Sequence, residues 1–482
     1  MSPATWKRLA AIPALYLLFF YGMTRTGLIG PDEPRYASIG REMARSGDWI
    51  TPRLWGEPWF EKPPLLYWMV GAANLAGLGP DLAPRIPVAL LSVGFLLLYY
   101  RLLRAEFGTR AATFSTIVLG ASVAWVAFSQ VGVTDLPMSA AFSAAMLFGL
   151  RWLSTGDRRQ LLFAAPLLAL AVLAKGLVPL ALALPMLWAG RRRMKDLLHP
   201  LPVALFLLTA VPWYVLCALR NGRVFLDVFF GEHHFTRFFS GVALHPQPFW
   251  FYLPVLLAGL FPWSPMVLTL FRKKIYRDPR CRFLLLWFLF GFVFFSASRG
   301  KLPGYLLPLF PALAALVGIA LDELKSARWL LAASGLTLTL IPVASRVLPD
   351  ALAGGLSRSA ITGWDWRVAL ICAVLAAWLW WLDNSGRRGA AIGLLFAAAV
   401  AGVLYGKVVA LPEVDRLVSA RPLWKAVAAD PARVCVDNIH RNWRYSLNYY
   451  SVTPLLECSE SPRPVRIEQL PDLPPAAVPG SL

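Results

Sequence analysis

Charged side chains are scarce in this chain, and the motifs of nucleotide chemistry are absent. Only 15% of its 482 residues are Asp, Glu, Lys or Arg, while 57% are hydrophobic and the mean hydropathy is +0.56. A soluble globular protein could not bury that much apolar surface. The sequence has no Gly-x-x-x-x-Gly-Lys loop and no dinucleotide-binding glycine fingerprint, so a nucleotide-driven pump or a dinucleotide oxidoreductase lacks support. We therefore predict a membrane protein.

Acidic residues are scarcer than basic ones, 27 against 47, which gives a formal charge of +20. The basic residues are not gathered on one soluble face, as nucleic-acid binding would require. They lie in short segments between apolar runs, where cytoplasmic loops are expected. We expect no nucleic-acid partner and interpret the charge as a topology signal. The clusters are Arg101, Arg104 and Arg110; Arg151, Arg158 and Arg159; Arg191, Arg192, Arg193 and Lys195; Arg272, Lys273, Lys274 and Arg277; Lys325 and Arg328; and Arg387 and Arg388.

Apolar runs long enough to cross about 30 Å of hydrocarbon recur to about residue 409. The apolar stretch 65–78 is shorter, and counting it as a span would place the Arg101–Arg110 cluster outside, so it predicts an interfacial helix. The sequence thus predicts an all-α polytopic membrane protein of about thirteen spans, N-terminus inside and C-terminus outside. The expected spans are 9–29, 86–104, 111–128, 136–153, 160–174, 177–190, 201–219, 250–271, 282–298, 305–321, 329–346, 366–382 and 389–409.

The composition changes after the last span. We expect a transmembrane domain over 1–409, in which 30–85 forms a periplasmic loop, and a small α/β periplasmic domain over 410–482 with a Pro-rich tail. In that domain ARVCVDN and TPLLECS predict strands, RPLWKAVAAD predicts a helix, and RYSLNYYSV fits either. Cys435 and Cys458 fall there, and their spacing leaves a disulfide open.

Acidic residues with possible chemical roles lie on the predicted outer side. Asp32 and Glu33 follow the first span, Glu61 and Lys62 precede a Pro-Pro pair, and Asp135 lies between two spans. Each has a structural alternative: Asp32 and Asp135 can cap helices, and a Glu-Lys neighbour pair is usually a weak surface pair. The density of charge in one loop of an apolar chain favours chemistry.

Cations also collect on this side. Within FFGEHHFTRFF, His233 and His234 could bind a divalent cation such as Zn²⁺ or Mn²⁺ together with Glu61, although interfacial histidines solvated by water are the alternative. Snorkelling is the alternative for the cations next to spans. Several cations around one phosphate would hold a lipid headgroup while its acyl chain stays in hydrocarbon. The residues concerned are Lys62, Lys175, Arg237, Arg299 and Lys301.

The motifs together resemble a known family. PDEPRYASIGREM, GDWITPRLWGEPWFEKPPLLYW, VTDLPMS, LAKG, EHHFTRF and SRGKLPGYLLPLFP, in this order, are similar to the aminoarabinose transferases of lipid A. These are polyprenyl-phosphate-dependent glycosyltransferases related to the protein O-mannosyltransferases. The resemblance implies a C-type glycosyltransferase fold, a polyprenyl (undecaprenyl) phosphate sugar donor, and inverting transfer in the periplasm to lipid A or another envelope acceptor.

The resemblance also implies roles for individual residues. Asp32 and Asp135 would be the catalytic acids of the cavity, with Arg35 and Glu33 near the sugar. The carrier phosphate would be bound by Lys62, Arg237, Lys175, Arg299, Lys301 and the mobile-loop Tyr305. Glu61, His233 and His234 would hold one divalent metal ion (Zn, Mn or Mg). The tail is short for this family and leaves the acceptor open, and we expect a monomer.

Other functions remain open at this stage. Transfer to a protein hydroxyl would fit the related mannosyltransferases. A flippase for polyprenyl-linked glycans would need ionisable residues near the bilayer midplane, whereas the charges here collect at the outer rim. A lipid-binding protein without activity would have no use for Asp32 and Asp135.

Overall fold

The computed structural model describes residues 12–229, 231, 246–470 and 473–479. Long apolar helices dominate it. Within those ranges eight helices are long and apolar enough to cross a membrane, and nine if one bent pair counts as a single span. The prediction of a helical membrane protein is therefore confirmed in its coarse form, while the count of about thirteen spans is not.

The helices follow one another with short connections, and the sheets are small. Residues 12–19 form the first described helix. The α-helices are Asp32–Ser46, Leu65–Leu75, Ile86–Gly120, Val123–Phe128, Asp135–Thr155, Arg159–Lys175, Val178–Leu182, Leu184–Ala189, Met194–Leu197, Pro200–Leu226, Tyr252–Leu260, Pro279–Ala297, Phe310–Glu323, Arg328–Thr337, Ile341–Gly354, Trp366–Asn384, Arg388–Val418, Arg421–Val427 and Arg441–Ser451. The 3₁₀ helices are Arg191–Arg193, Phe249–Phe251, Ser264–Phe271, Lys273–Arg277, Pro303–Leu309, Leu338–Leu340, Leu356–Arg358 and Pro431–Arg433.

Kinks and breaks account for part of the difference in span count, because Ile86–Gly120 counts as one helix and covers two predicted spans. The two spans predicted at 86–104 and 111–128 lie on either side of Gly108, whose φ of 84° and ψ of 173° interrupt the helix. The span predicted at 177–190 is divided into two short helices, the second of which has Pro185 in its first turn, where proline is tolerated because no helical N–H is needed. The span predicted at 250–271 is a pair of helices bent by 115°.

Two helices form the centre of the bundle. In the most apolar 18-residue stretch of Pro303–Glu323, 94% of the residues are buried, and in that of Asp135–Thr155 83% are. The corresponding shares are 28% for Trp366–Asn384 and 22% for Pro200–Phe229. The latter two present most of their apolar side chains outward, as lipid-facing helices do. Asp135–Thr155 packs on Arg159–Lys175, and Phe310–Glu323 packs on Ile86–Gly120. The ends of these central helices carry candidate site residues.

The predicted first outer loop, residues 30–85, contains two packed helices, which we call the Asp32 helix (Asp32–Ser46) and the interfacial helix (Leu65–Leu75). At 11 residues the interfacial helix is too short to cross hydrocarbon, in agreement with the prediction. A glycine allows the two to approach: a Cβ on Gly40 would lie 2.6 Å from Cβ of Val70. This close packing fixes the direction of the Asp32 helix.

The last long helix is attached to the first one. The ammonium of Lys407, on Arg388–Val418, donates to the carbonyl oxygens of Leu17 and Leu18 at 2.8 Å and of Tyr21 at 2.9 Å. Carbonyls in the last turn of a helix have no intrahelical partner, so this lysine satisfies groups that hydrocarbon could not. The two ends of the helical bundle are thereby joined.

The C-terminal segment is a small mixed sheet with helices. Strand Val434–Asp437 pairs in parallel with Val465–Glu468, which pairs in antiparallel fashion with Ala476–Pro479. The predicted strand in ARVCVDN and helix in RPLWKAVAAD are present, whereas RYSLNYYSV is helical and TPLLECS contributes only a bridge at Glu457. Cys435 and Cys458 form a disulfide. Helix Arg388–Val418 continues past the boundary predicted at 410, and Oδ1 of Asp415 near its end accepts a hydrogen bond of 2.7 Å from the N–H of Gly27.

Candidate active site

The Asp32 helix brings an acid and a base together in its first turn. The structural alternative for Asp32, a helix cap, is not formed: no side-chain cap is present, and the residue is the first of the helix itself. Its carboxylate instead accepts a hydrogen bond of 2.6 Å from Nη2 of Arg35, one turn later. Residues three apart lie on one face of a helix, which makes this ion pair possible.

The opposite end of the loop meets the same guanidinium. Nη2 of Arg35 lies 2.9 Å from Oε2 of Glu61, and Nζ of Lys62 lies 3.4 Å from Oε1 of Glu61. Arg35 and Glu61 keep only 10% and 8% of their side-chain surface exposed. A buried carboxylate between two cations is stabilised by both, and it holds them in place. We call Asp32, Arg35, Glu61 and Lys62 the loop cluster.

A second ion pair lies close to the loop cluster. Asp135 begins helix Asp135–Thr155, Lys175 ends helix Arg159–Lys175, and the Lys175 ammonium donates to Oδ1 of Asp135 at 2.6 Å. The same ammonium is 4.8 Å from the centre of the Tyr305 ring. Burial raises the pKa of Asp32, with Glu61 and Asp135 among the charges close enough to contribute to the rise. The structure thus brings together side chains from four distant segments.

Asp32 is the most accessible acid of this group. It keeps 45% of its side-chain surface exposed, against 8% for Glu61 and 16% for Asp135. Burial nevertheless raises its pKa, while the Arg35 guanidinium lowers it. The Asp32 carboxylate is thus surrounded by protein on most sides, while part of its surface remains accessible to a ligand. A carboxylate of raised pKa is a better proton acceptor than an ordinary aspartate.

Glu33 does not have the geometry for the predicted contact with the sugar. It is fully buried, and its two oxygens pair with Nε and Nη2 of Arg85 at 2.8 and 2.9 Å. They also accept from the backbone N–H groups of Ile29 at 3.0 Å and Gly132 at 2.9 Å. A carboxylate offers about four acceptor positions, and all are used. Glu33 therefore holds the loop in place, and its partner Arg85 is a residue that sequence reasoning missed.

The turn before Tyr305 packs directly on the second ion pair. A Cβ on Gly304 would lie 2.6 Å from Oδ1 of Asp135, so only glycine fits there. Lys301 is buried, and its ammonium donates to the carbonyl of Gln247 at 3.1 Å and to that of Ser298. Arg299 is exposed on the same turn. The predicted phosphate roles of Lys301 and Arg299 stay predictions.

The predicted metal site is only partly within the described residues. His233, His234 and Arg237 lie outside them. Among the residues that the structure describes, no group of three or more His, Cys, Asp or Glu side chains could hold a metal ion. Glu61, the remaining predicted ligand, has each oxygen next to a cation. The described donors alone therefore do not fit a metal, and no step below depends on one.

Known proteins are similar to this chain in sequence. Residues 61–215 match the sequence family described as dolichyl-phosphate-mannose-protein mannosyltransferase. An undecaprenyl phosphate-alpha-4-amino-4-deoxy-L-arabinose arabinosyl transferase of Pseudomonas paraeruginosa is 36% identical over 335 residues, which cover 66% of this chain and 60% of the relative. That of Serratia proteamaculans is 32% identical over 342 residues, with the same coverage. The chain is a relative of these transferases. The match spans less than two thirds of their length.

Solved structures support the relationship. The crystal structure of ArnT from Cupriavidus metallidurans bound to undecaprenyl phosphate superposes with a TM-score of 0.76 at 28% identity, over 95% of this chain and 86% of that one. Arabinosyltransferase EmbB from Mycobacterium smegmatis is 15% identical with a TM-score of 0.51, over 94% of this chain and 43% of that one, which shows a common fold only. The resemblance predicted from the motifs is thus confirmed in sequence and in fold.

Proposed function

We propose that this aminoarabinose-transferase relative is an inverting glycosyltransferase that moves a sugar from undecaprenyl phosphate to lipid A or another envelope acceptor. The relatives named above support 4-amino-4-deoxy-L-arabinose as the sugar. The observation that carries the proposal is the loop cluster: an accessible carboxylate of raised pKa, paired with Arg35 and next to the Glu61–Lys62 pair, close to the Asp135–Lys175 ion pair at the ends of two helices. We propose that the enzyme acts as a monomer.

The charges support a division of labour in this reaction. As the bond from the anomeric carbon to the carrier phosphate breaks, the electron pair stays with the phosphate, whose negative charge grows. Lys62 and Lys175 would stabilise that charge, because preformed cations act most strongly where charge develops. The acceptor oxygen attacks the anomeric carbon from the opposite face. A hydroxyl acceptor would give its proton to Asp32, whereas for an ionised phosphate acceptor Asp32 would orient the sugar.

The disulfide supports a periplasmic active site in the bacterial inner membrane. Disulfides persist in oxidising compartments and are rare in the cytosol. The Cys435–Cys458 segment contacts the Asp32 helix directly, since Nη1 of Arg41 donates to the carbonyl of Tyr449 at 2.7 Å. The Cys435–Cys458 segment and the loop cluster would therefore lie on the same side of the membrane, which we propose is the periplasmic side.

The flippase alternative has less support. It requires ionisable groups along a path through the spans. Lys407 lies inside a long helix, but its three donors are all engaged by carbonyl oxygens of the first helix region. An ammonium with three donors has none left for a transported group.

Mass spectrometry of envelope lipids and glycans from a strain without this protein tests the proposal. We expect the lipid A or other acceptor to lose one sugar of pentosamine mass and to regain it when the intact chain is supplied. An envelope that is identical in the two strains, under conditions in which the protein is made, would refute the proposed transfer.

Lys62→Ala is expected to weaken binding of undecaprenyl phosphate. A charge-assisted hydrogen bond to phosphate contributes about 1.5–3 kcal/mol, so the dissociation constant should rise roughly tenfold to a hundredfold. Native mass spectrometry of the purified protein with undecaprenyl phosphate measures it. Lys425→Ala, at an exposed lysine of the C-terminal segment, is the control and should bind normally. Equal affinity of Lys62→Ala and the native protein would remove Lys62 from the phosphate site.

A further inference from the structure

An aromatic ring from the far end of the chain reaches the loop cluster. Tyr445 lies on helix Arg441–Ser451, and the centre of its ring is 5.4 Å from the guanidinium carbon of Arg35. The rings of Tyr36 and Trp59 lie 5.3 and 5.5 Å from the same carbon. Arg35 is thus surrounded by two rings from the first outer loop and one from the C-terminal segment.

Hydrogen bonds alone leave the orientation of the Arg35 guanidinium incompletely fixed. The contacts with Asp32 and Glu61, at 2.6 and 2.9 Å, both use the same nitrogen, Nη2. Nε is buried and has no hydrogen-bond partner among the described residues. A planar group held at one corner can rotate about that corner. The three rings supply the missing constraint, since guanidinium planes pack and interact favourably with aromatic faces.

The helix that carries Tyr445 is held firmly against the membrane domain. The hydroxyl of Tyr449 donates to the carbonyl of Pro80 at 2.7 Å, and that of Tyr450 donates to Asp81 at 2.8 Å. The guanidinium carbon of Arg41 lies 4.3 Å from the Tyr449 ring centre. Trp55 packs on Tyr445 itself, with ring centres 5.6 Å apart. The position of Tyr445 over Arg35 is therefore defined by contacts on both sides.

We propose that Tyr445 is a positioning residue of the active site: its ring fixes Arg35 and, through Arg35, the carboxylate of Asp32. The C-terminal segment then completes the catalytic cluster. The effect on transfer rests on the proposed function, whereas the effect on Arg35 does not.

Three variants test this proposal. Tyr445→Phe keeps the ring, Tyr445→Leu keeps apolar bulk without an aromatic face, and Arg441→Ala changes an exposed residue of the same helix. Two measurements are made on purified full-length protein. The first is the kcat and KM of sugar transfer from the lipid-linked donor. The second is the rate at which phenylglyoxal modifies Arg35, followed by mass spectrometry of the peptide. Thermal unfolding in detergent verifies that each variant is folded.

We expect Tyr445→Leu to lower kcat by at least about tenfold with little change in the KM for donor, a loss that corresponds to about 1.4 kcal/mol. Arg35 in this variant should be modified several times faster, because its guanidinium is less enclosed. Tyr445→Phe and Arg441→Ala should behave like the native protein in both measurements. If Arg35 reacts equally fast in the Leu variant, or if Phe is as damaging as Leu, the proposal is overturned. If the native protein itself transfers no sugar, the proposed function fails. The rates of Arg35 modification then decide alone whether Tyr445 fixes the position of Arg35.

Discussion

Asp32→Asn is expected to lower kcat for sugar transfer by roughly 10²- to 10⁴-fold, the range that general acid–base catalysis contributes. Asparagine preserves the size of the side chain but cannot accept a proton or carry the negative charge that pairs with Arg35 at 2.6 Å. Carrier binding should survive, because Lys62 and Lys175 are unchanged. The assay is turnover of a purified lipid-linked sugar, with binding of undecaprenyl phosphate measured in parallel.

The control for this prediction is Glu57→Gln, the same chemical change at an exposed position of the same loop. It should leave turnover intact. The pH profile adds a second test. Because burial raises the pKa of Asp32, the native kcat/KM should fall as the pH drops through that raised pKa, at a higher pH than for an ordinary aspartate. Native-like turnover in Asp32→Asn would contradict the role of Asp32. So would a native kcat/KM that falls only at the pH expected for an ordinary aspartate.

Arg85→Met is expected to destabilise the protein by about 3–5 kcal/mol, because it leaves the Glu33 carboxylate buried without its counter-ion. It would also remove the donor to the carbonyls of Thr26 and Gly27, each at 2.8 Å, and to that of Met23. Glu33 follows Asp32 directly in the chain, so the Glu33–Arg85 pair anchors the start of the Asp32 helix. The midpoint of thermal unfolding in detergent, followed by size-exclusion chromatography, measures the loss.

Two further variants test whether loss of the Glu33–Arg85 ion pair causes the loss of stability in Arg85→Met. Adding Glu33→Gln removes the stranded charge, so the double variant should recover part of the lost stability. Arg53→Met is the control, because Arg53 is partly exposed and its contact with Asp48 is 3.8 Å, a pair that contributes under about 1 kcal/mol. A double variant no more stable than Arg85→Met alone would show that the ion pair is not the source of the loss.

The sequence predicts the residues of the loop cluster better than their individual contacts. The motifs suggested that Asp32, Glu61 and Lys62 act together, and the ion pairs through Arg35 place them together. Asp32, which could have capped the helix, pairs instead with a basic residue one turn later. Local propensity could not show this competition.

Contacts between distant segments were beyond sequence reasoning. Glu33 was predicted near the sugar, but it pairs with Arg85, which is 52 residues away. Tyr445 lies on a different helix, in a stretch that fitted strand and helix alike. The helix break between Val178–Leu182 and Leu184–Ala189 lies inside an apolar run, where hydropathy does not distinguish one helix from two.

The lysine that joins the two ends of the bundle has a consequence for biosynthesis. Ribosomes release the first helix into the membrane long before residue 407 is synthesised. Until then, the carbonyls of Leu17, Leu18 and Tyr21 lack the ammonium that satisfies them in the finished protein. The Leu18 carbonyl also accepts from the side-chain amide of Gln130, so a nascent chain that stops before Arg388–Val418 lacks a side-chain donor chiefly at Leu17 and Tyr21.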